Sequence, residues 1–249
     1  DGVMELLVFA TGTSSENPRA ELYSFGTGKR ELIGETRLDS TITSFESIKY
    51  AKTDEGTSIY ADALCADGSS MVTEFIYWSD YYNSIISPFY SYSTGRTKET
   101  LRSSQVTCRD IDDDGYIEIP EDTSSKKQSS EITSQNWVNY GNTVLSHKCY
   151  SFSCKRDGYI LVIDDDDFSK VKANYDSESR KLTIINKKNK SNVFEIVTLI
   201  NSNYSVNDPK YKDYTMIMKN SGFVYLAKVN KSSDIDINIQ TLKDMIKVY

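Results

Sequence analysis

One histidine, His147, stands in the whole chain. Ser-His-Asp triads and HExxH zinc sites need histidine as base or ligand, and multi-histidine metal centres need several, so all three are excluded or crippled. Only 12 glycines occur among 249 residues. No Gly-x-x-x-x-Gly-Lys phosphate loop, Rossmann glycine pattern or Gly-x-Ser-x-Gly elbow is among their settings. No stretch approaches the ~20 apolar residues that a membrane-spanning helix needs. Positive charge is also short, with 29 Lys and Arg against 36 Asp and Glu and a net charge of -7. That balance repels polyphosphate, because affinity for nucleic acid comes largely from Lys and Arg displacing counterions. Nucleic acid is therefore not an expected partner, and the basic stretch Lys187, Lys188 and Lys190 between two apolar runs is expected to be a solvated hairpin tip.

None of the four cysteines, Cys65, Cys108, Cys149 and Cys154, falls in a Cys-x-x-Cys pair, which argues against zinc and dithiol redox chemistry. Four cysteines allow three complete pairings. Cys65 with Cys108 is the first expected pair, since each precedes an Asp-containing turn; four reduced, buried thiols are the alternative. Met4 is not the first residue and no charged segment leads into an apolar one. A mature or trimmed exported protein is expected from this, extracellular or anchored at the cell surface by a lipid upstream of residue 1.

Tyrosine is abundant at 18, and aromatic and β-branched residues cluster in short runs such as Glu74 to Trp78 and Pro88 to Tyr92. Such runs suit half-buried pleated strands. A weak repeat strengthens the expectation. Asp1-Gly2, two residues, Glu5 and an apolar run match Asp114-Gly115, two residues, Glu118 and Ile119, with a degraded copy at Asp67-Gly68 ahead of Thr73 to Tyr77. Each copy places a tight turn before a strand. Further strands are expected at 21–25, 31–38, 45–50, 58–64 and 85–92, with no convincing amphipathic helix before residue 125.

Residues 123–134 are poor in apolar side chains and read as a connection. The expected division is a β-repeat domain over 1–125 and an α+β sandwich domain over 135–249. In the second domain, strands are expected at 143–151, 158–163, 171–175, 181–186 and 194–200, a hairpin at 214–229, and an amphipathic helix at 238–249. The fold class is mainly β: a propeller-like antiparallel domain, then an α+β domain with a C-terminal helix.

The strongest local signal is Asp110-Ile-Asp112-Asp-Asp114-Gly-Tyr116-Ile-Glu118. Oxygen ligands at alternating positions, with a glycine for a sharp turn, suit a hard cation that takes six to eight oxygens, and calcium is the natural one. Asp110, Asp112 and Asp114 would give carboxylates, Tyr116 a backbone carbonyl, and Glu118 a direct or water-mediated ligand. Glu121 satisfies the twelfth position of an EF-hand, but extended flanks and Pro120 place the loop between strands. The acidic run 164–167 lacks a glycine to wrap it round an ion and is expected to be a solvated turn. Trp78, Tyr81, Tyr82, Tyr90 and Tyr92 could form a platform for sugar or peptide, or pack inward as core.

Through Asp110 to Ile119, the chain resembles the FG-GAP or VCBS-type repeats of integrin-like β-propellers, whose Asp-x-Asp-x-Asp-Gly-x-x-Asp/Glu loops lead into apolar strands. That resemblance covers about half the chain and implies structural calcium and surface interaction rather than catalysis. Asp157-Gly158-Tyr159 to Ile163 gives the second half a fainter similarity to the PsbP-type sandwich. Together the halves look like exported lipoproteins of Gram-positive bacteria. The expected function is a non-enzymatic, calcium-stabilised, cell-surface binding or scaffold protein with a protein or glycan partner. A carbohydrate-active module, binding or hydrolysing with a carboxylate pair, is the alternative.

Overall fold

The computed structural model describes residues 3–53, 56–123, 131–141, 144–205, 208–230 and 235–249. These are mainly β, in antiparallel sheets. The chain forms two compact units, one of residues 1–122 with 137–148, the other of 123–136 with 149–249. No described helix is long and apolar enough to cross a membrane.

The first unit begins with a three-stranded meander of β1 (Glu5–Ala10), β2 (Arg19–Ser24) and β3 (Glu31–Arg37). Next comes a four-stranded sheet of β4 (Ile42–Thr53), β5 (Gly56–Cys65), β6 (Met71–Ser79) and β7 (Ser84–Ile86), joined in sequence order. Side chains alternate between the faces of a strand, and here both faces are covered. On one face Ala63, Cys65, Val72 and Ile76 pack with Ala20 and Leu38, with Leu7, Phe9 and Leu22 at the margin. On the other, Tyr60 and Phe75 pack with Cys108, Ile117, Ile119, Val138 and Tyr140. Double burial explains why β6 reads Met-Val-Thr-Glu-Phe-Ile-Tyr-Trp-Ser without polar alternation.

The degraded repeat copy at Asp67-Gly68 is the β5–β6 turn, with Gly68 at φ +69° and the Asp67 carboxylate accepting from the amides of Ser69 and Ser70. Asp1 and Gly2, which open the first copy, lie outside the described residues. The strand expected over 85–92 is broken: β7 ends at Ile86, and β8 (Tyr90–Ser91) pairs with β9 (Arg96–Thr97). Pro88 between them has no N–H for a ladder and favours the bend.

β10 (Ile119–Asp122) follows the acidic loop. β11 (Ile132–Gly141) and β12 (Val144–Cys154) each contribute to both units. β11 begins inside the connection expected at 123–134; the part of that connection at 124–130 lies outside the described residues.

In the second unit β12 pairs with β13 (Tyr159–Ile163) from Tyr150↔Ile163 to Cys154↔Tyr159. A five-stranded sheet runs β14-β15-β16-β18-β17, built from Val171–Asp176, Lys181–Asn186, Asn192–Ile200, Thr215–Lys219 and Phe223–Val229 in chain order of label. Tyr159, Leu161 and Ile163 share one core with Leu182, Ile184, Phe194, Ile196, Tyr225 and Ala227, all at period two. The expected hairpin at 214–229 is the β17–β18 pair, and Lys187 to Lys190 form the tip between β15 and β16.

Two expectations are corrected here. The run 164–167 is solvated as expected, with Asp164 to Asp166 exposed, but instead of a plain turn it winds into one turn of helix, α1 (Asp165–Phe168), because Phe168 stacks on Tyr150 at 4.3 Å and acidic residues suit a helix N-terminus. The C-terminal helix exists but is shorter than 238–249. In α2 (Ile239–Met245) the Asn238 side chain accepts from the amides of Gln240 and Thr241. Its apolar stripe, Leu242 with Ile239 and Met245, packs on the core. The last residues leave the helix as β19 (Ile246–Val248), since Ile246, Lys247 and Val248 find ladder partners at Leu161, Ile160 and Tyr159.

The expected Cys65–Cys108 bridge is not formed, and none of the four cysteines is in a disulfide. The two residues point to opposite faces of the β4–β7 sheet, Cys65 into one core and Cys108 into the other, and the Cys108 thiol donates to Asp62 Oδ2 at 3.0 Å. Alkylation of denatured, unreduced protein should therefore label all four cysteines; labelling of only two would contradict the free-thiol arrangement.

Candidate metal centre

The loop between Arg109 and Glu118 is closed at its base by a two-residue antiparallel bridge, with Arg109 N donating to Glu118 O at 3.1 Å and Glu118 N to Arg109 O at 2.9 Å. Buried Ile111, Ile117 and Ile119 pin it to the unit. Neither flank is helical. The acidic side chains shape the interior of the loop. Asp110 accepts from the amides of Asp114 (3.1 Å) and Gly115 (2.9 Å), and Asp114 Oδ1 accepts from Tyr116 N at 2.9 Å. Asp113 and Gly115 adopt φ of +64° and +91°. Glycine takes that conformation without strain, and aspartate tolerates it better than most residues.

Asp110, Asp112 and Glu118 converge, each offering a carboxylate oxygen within 4.8 Å of the other two. Among the described residues this is the group of three or more acidic, His or Cys side chains that comes together in this way. Glu118 is fully buried. Its Oε2 accepts from Ile111 N at 3.0 Å, but its Oε1 has no donor. Burial pushes the Glu118 carboxyl up to about 7 against the opposing Ile111 amide, and the charges of Asp112, Asp114 and Asp110 push the same way. A buried carboxylate oxygen without a donor is costly, and a cation at the centre of the group would satisfy it.

Asp114 and Tyr116 are not among the three converging groups. The Asp114 carboxylate turns to Lys148, whose Nζ lies 2.5 Å from Asp114 Oδ2 and 3.2 Å from Asp112 Oδ2. Lys148 holds the Asp114 carboxyl below its ordinary value, with burial opposing. Tyr116 donates its amide to Asp114 and leaves its ring largely exposed. Glu121 lies in β10, outside the cluster. Lys148 was not legible as part of the site, because it arrives from β12, 34 residues along the chain.

The other buried charges are committed to structure. Asp62 and Arg102, both fully buried, form an ion pair at 2.8 Å. Asp62 also accepts from Thr73 Oγ1 and Cys108 N, while Arg102 donates to the carbonyls of Thr100 and Val106. On the opposite face, Glu74 accepts from Asp39 N, Ser87 Oγ and Thr97 Oγ1. Burial, opposed by these donors, pushes its carboxyl up to about 7. In the second unit the buried Asp157 accepts from Arg180 and from the Tyr175 hydroxyl. An ionisable residue inside an apolar strand, as in Ile-Tyr-Ala-Asp62 or Thr-Glu74-Phe, is the sequence signal that marks such groups.

The five aromatic residues considered as a platform divide. Tyr81 and Tyr82 are exposed and meet edge to face at 4.9 Å, and Tyr92 is exposed against Tyr90. Tyr90 is buried, and Trp78 packs at the margin of a core with its Nε1 donating to Asp80. His147 is exposed on β12. The chain matches no protein-family model and no curated protein.

Proposed function

We propose that the 110–118 loop binds a divalent cation, calcium by preference, and that the ion stabilises an extracellular or surface-anchored, non-enzymatic binding or scaffold protein. The observation that carries this reading is the convergence of Asp110 and Asp112 on the buried Glu118, whose carboxylate has one oxygen, Oε1, without a donor. Oxygens bound to calcium at about 2.3 to 2.6 Å stand at most about 5 Å apart across the ion, so a group gathered within 4.8 Å fits its coordination sphere. Magnesium, at about 2.0 to 2.1 Å, needs a tighter octahedron and keeps more of its water. Tyr116 and Asp114 are the further ligands of this reading, with water completing the sphere.

The FG-GAP or VCBS-like spacing from Asp110 to Ile119 supports the same reading, and so does the engagement of the other buried carboxylates in structural hydrogen bonds. A glycan partner is favoured by the exposed pair Tyr81 and Tyr82, since adjacent accessible rings can stack on a sugar face.

The test is thermal unfolding with and without calcium. For a dissociation constant of ~0.1 mM, millimolar calcium should stabilise the protein by about 1 to 2 kcal/mol and raise Tm by about 3 to 5 °C. Asp112→Asn and Glu118→Gln should each abolish the rise, and magnesium should give a smaller one. An unchanged Tm in millimolar calcium, with no heat in a calcium titration, would refute the reading.

A further inference from the structure

The loop that offers a divalent-ion site also holds a positive charge from its own chain. Asp112 stands between the two: its carboxylate belongs to the converging group with Asp110 and Glu118, and it also meets the Lys148 ammonium at 3.2 Å. Asp114, the remaining aspartate of the alternating pattern, is not one of the three converging residues and is held by the same ammonium. A cation entering among Asp110, Asp112 and Glu118 would thus meet a like charge already bound to one of its ligands. We propose that Lys148 is a tethered competitor for the loop's cation, and that ion binding expels its ammonium from Asp112 and Asp114 and frees Asp114 to complete the coordination. The proposal rests on the calcium reading above and gives that site its regulation.

The exchange requires little of the fold. The backbone of Lys148 is fixed in β12, so only its side chain has to move. That side chain retains 29% of its exposure and those of Asp112 and Asp114 retain 32% each, so water screens the pairs and can receive the released ammonium. Lysine suits this part because its charge is a point at the end of a flexible, strongly hydrated stem rather than a planar fork locked on two oxygens. The consequence is a threshold. The loop keeps a counter-ion when calcium is scarce and takes the divalent ion only above a concentration that Lys148 helps to set.

Calorimetric titration with calcium chloride tests this on the whole chain as wild type, Lys148→Met and Lys148→Arg. Removing the competitor should tighten calcium binding about three- to tenfold, the range expected from losing two screened surface pairs, whereas Lys148→Arg, with a planar fork that grips the two carboxylates more firmly, should weaken it. A second readout needs no variant: the Lys148 ammonium resonance of isotope-labelled wild-type protein should shift as calcium is added. Equal affinity in all three proteins with an unmoved resonance would overturn the competition and leave the calcium site standing. No binding in any of them would overturn both. Binding by Lys148→Met alone would make Lys148 the permanent counter-ion of the loop, which overturns release by calcium and the native calcium site together.

Discussion

Replacing Arg102 by methionine is expected to cost about 3 to 5 kcal/mol, a large part of the ~5 to 15 kcal/mol that holds an ordinary domain folded. The size follows from what is left behind. Arg102 donates to Asp62 Oδ1, to Thr73 Oγ1 and to the carbonyls of Thr100 and Val106. Methionine fills similar volume but donates nothing, so a fully buried Asp62 loses its counter-ion and two buried carbonyls lose their donor. Asp62 would keep hydrogen bonds from Thr73 and Cys108, which is why the loss stays below that of an isolated buried charge. A second substitution, Asp62→Asn, placed on the Arg102→Met background should restore part of the stability, because it removes the stranded charge; the two effects are coupled rather than additive. Denaturant unfolding of the single and double variants measures both. A loss below about 1 kcal/mol for Arg102→Met, typical of exposed pairs, would show that the pair is not the buried brace described above.

The second large effect is one of pH. Glu74 is fully buried on the opposite face of the same sheet, and its carboxyl rises from 4.5 to about 7, chiefly through burial, with the nearby Asp39 charge adding to it. The folded state then holds a proton that the unfolded state has released throughout that interval, so stability falls as pH rises through it. The contribution is fully present below about pH 4.5 and is lost once the pH passes about 7, and a rise of that size is worth on the order of 3 kcal/mol. Asp39, which receives Arg96, Thr41 and the Thr97 amide, has its carboxyl held down against the effect of burial. Its own stability change therefore falls below this window. Glu118 changes stability in the same direction as Glu74, so the informative quantity is the difference between wild type and Glu74→Gln in calcium-free buffer.

Glutamine can keep the amide of Asp39 and the Thr97 hydroxyl on its oxygen and donate its own N–H to Ser87. The difference in stability between the two proteins should accordingly change by about 3 kcal/mol from pH 4.5 to pH 8 in favour of the variant. Parallel stability profiles would mean that Glu74 takes up its proton in the folded protein over the same pH range as in the unfolded one, with no effect of burial.

Much of the β architecture was legible because strands leave a local record. Aromatic and β-branched runs bounded by Gly, Asn and Ser marked most strands, and Lys181–Asn186 lies where it was expected. The hairpin at 214–229 was equally plain. Misses came where a distant partner outweighed the local pattern. Residues 246–248 continue a helical spacing in sequence, yet their backbone pairs with Tyr159 to Leu161. β11 was hidden because its buried residues Ser134 and Gln135 are held by hydrogen bonds with other segments rather than by apolar character, as in the Ser151 hydroxyl of β12 donating to Gln135. The candidate centre was half visible. Alternating aspartates and a glycine predict a loop whose carboxylates turn inward, but spacing says nothing of which of them an outside cation will take.

Chain order alone determined a mainly β protein and an acidic loop closed on itself, since these follow from residue type and near-neighbour spacing. Only tertiary structure decided that Glu118 would be sealed from water, that Lys148 would claim Asp114, that Cys65 and Cys108 would face apart, and that residues 137–148 would join the first unit. The physical reason is the same in each case: burial and charge pairing depend on which segments meet across tens of residues, and no local pattern carries that information.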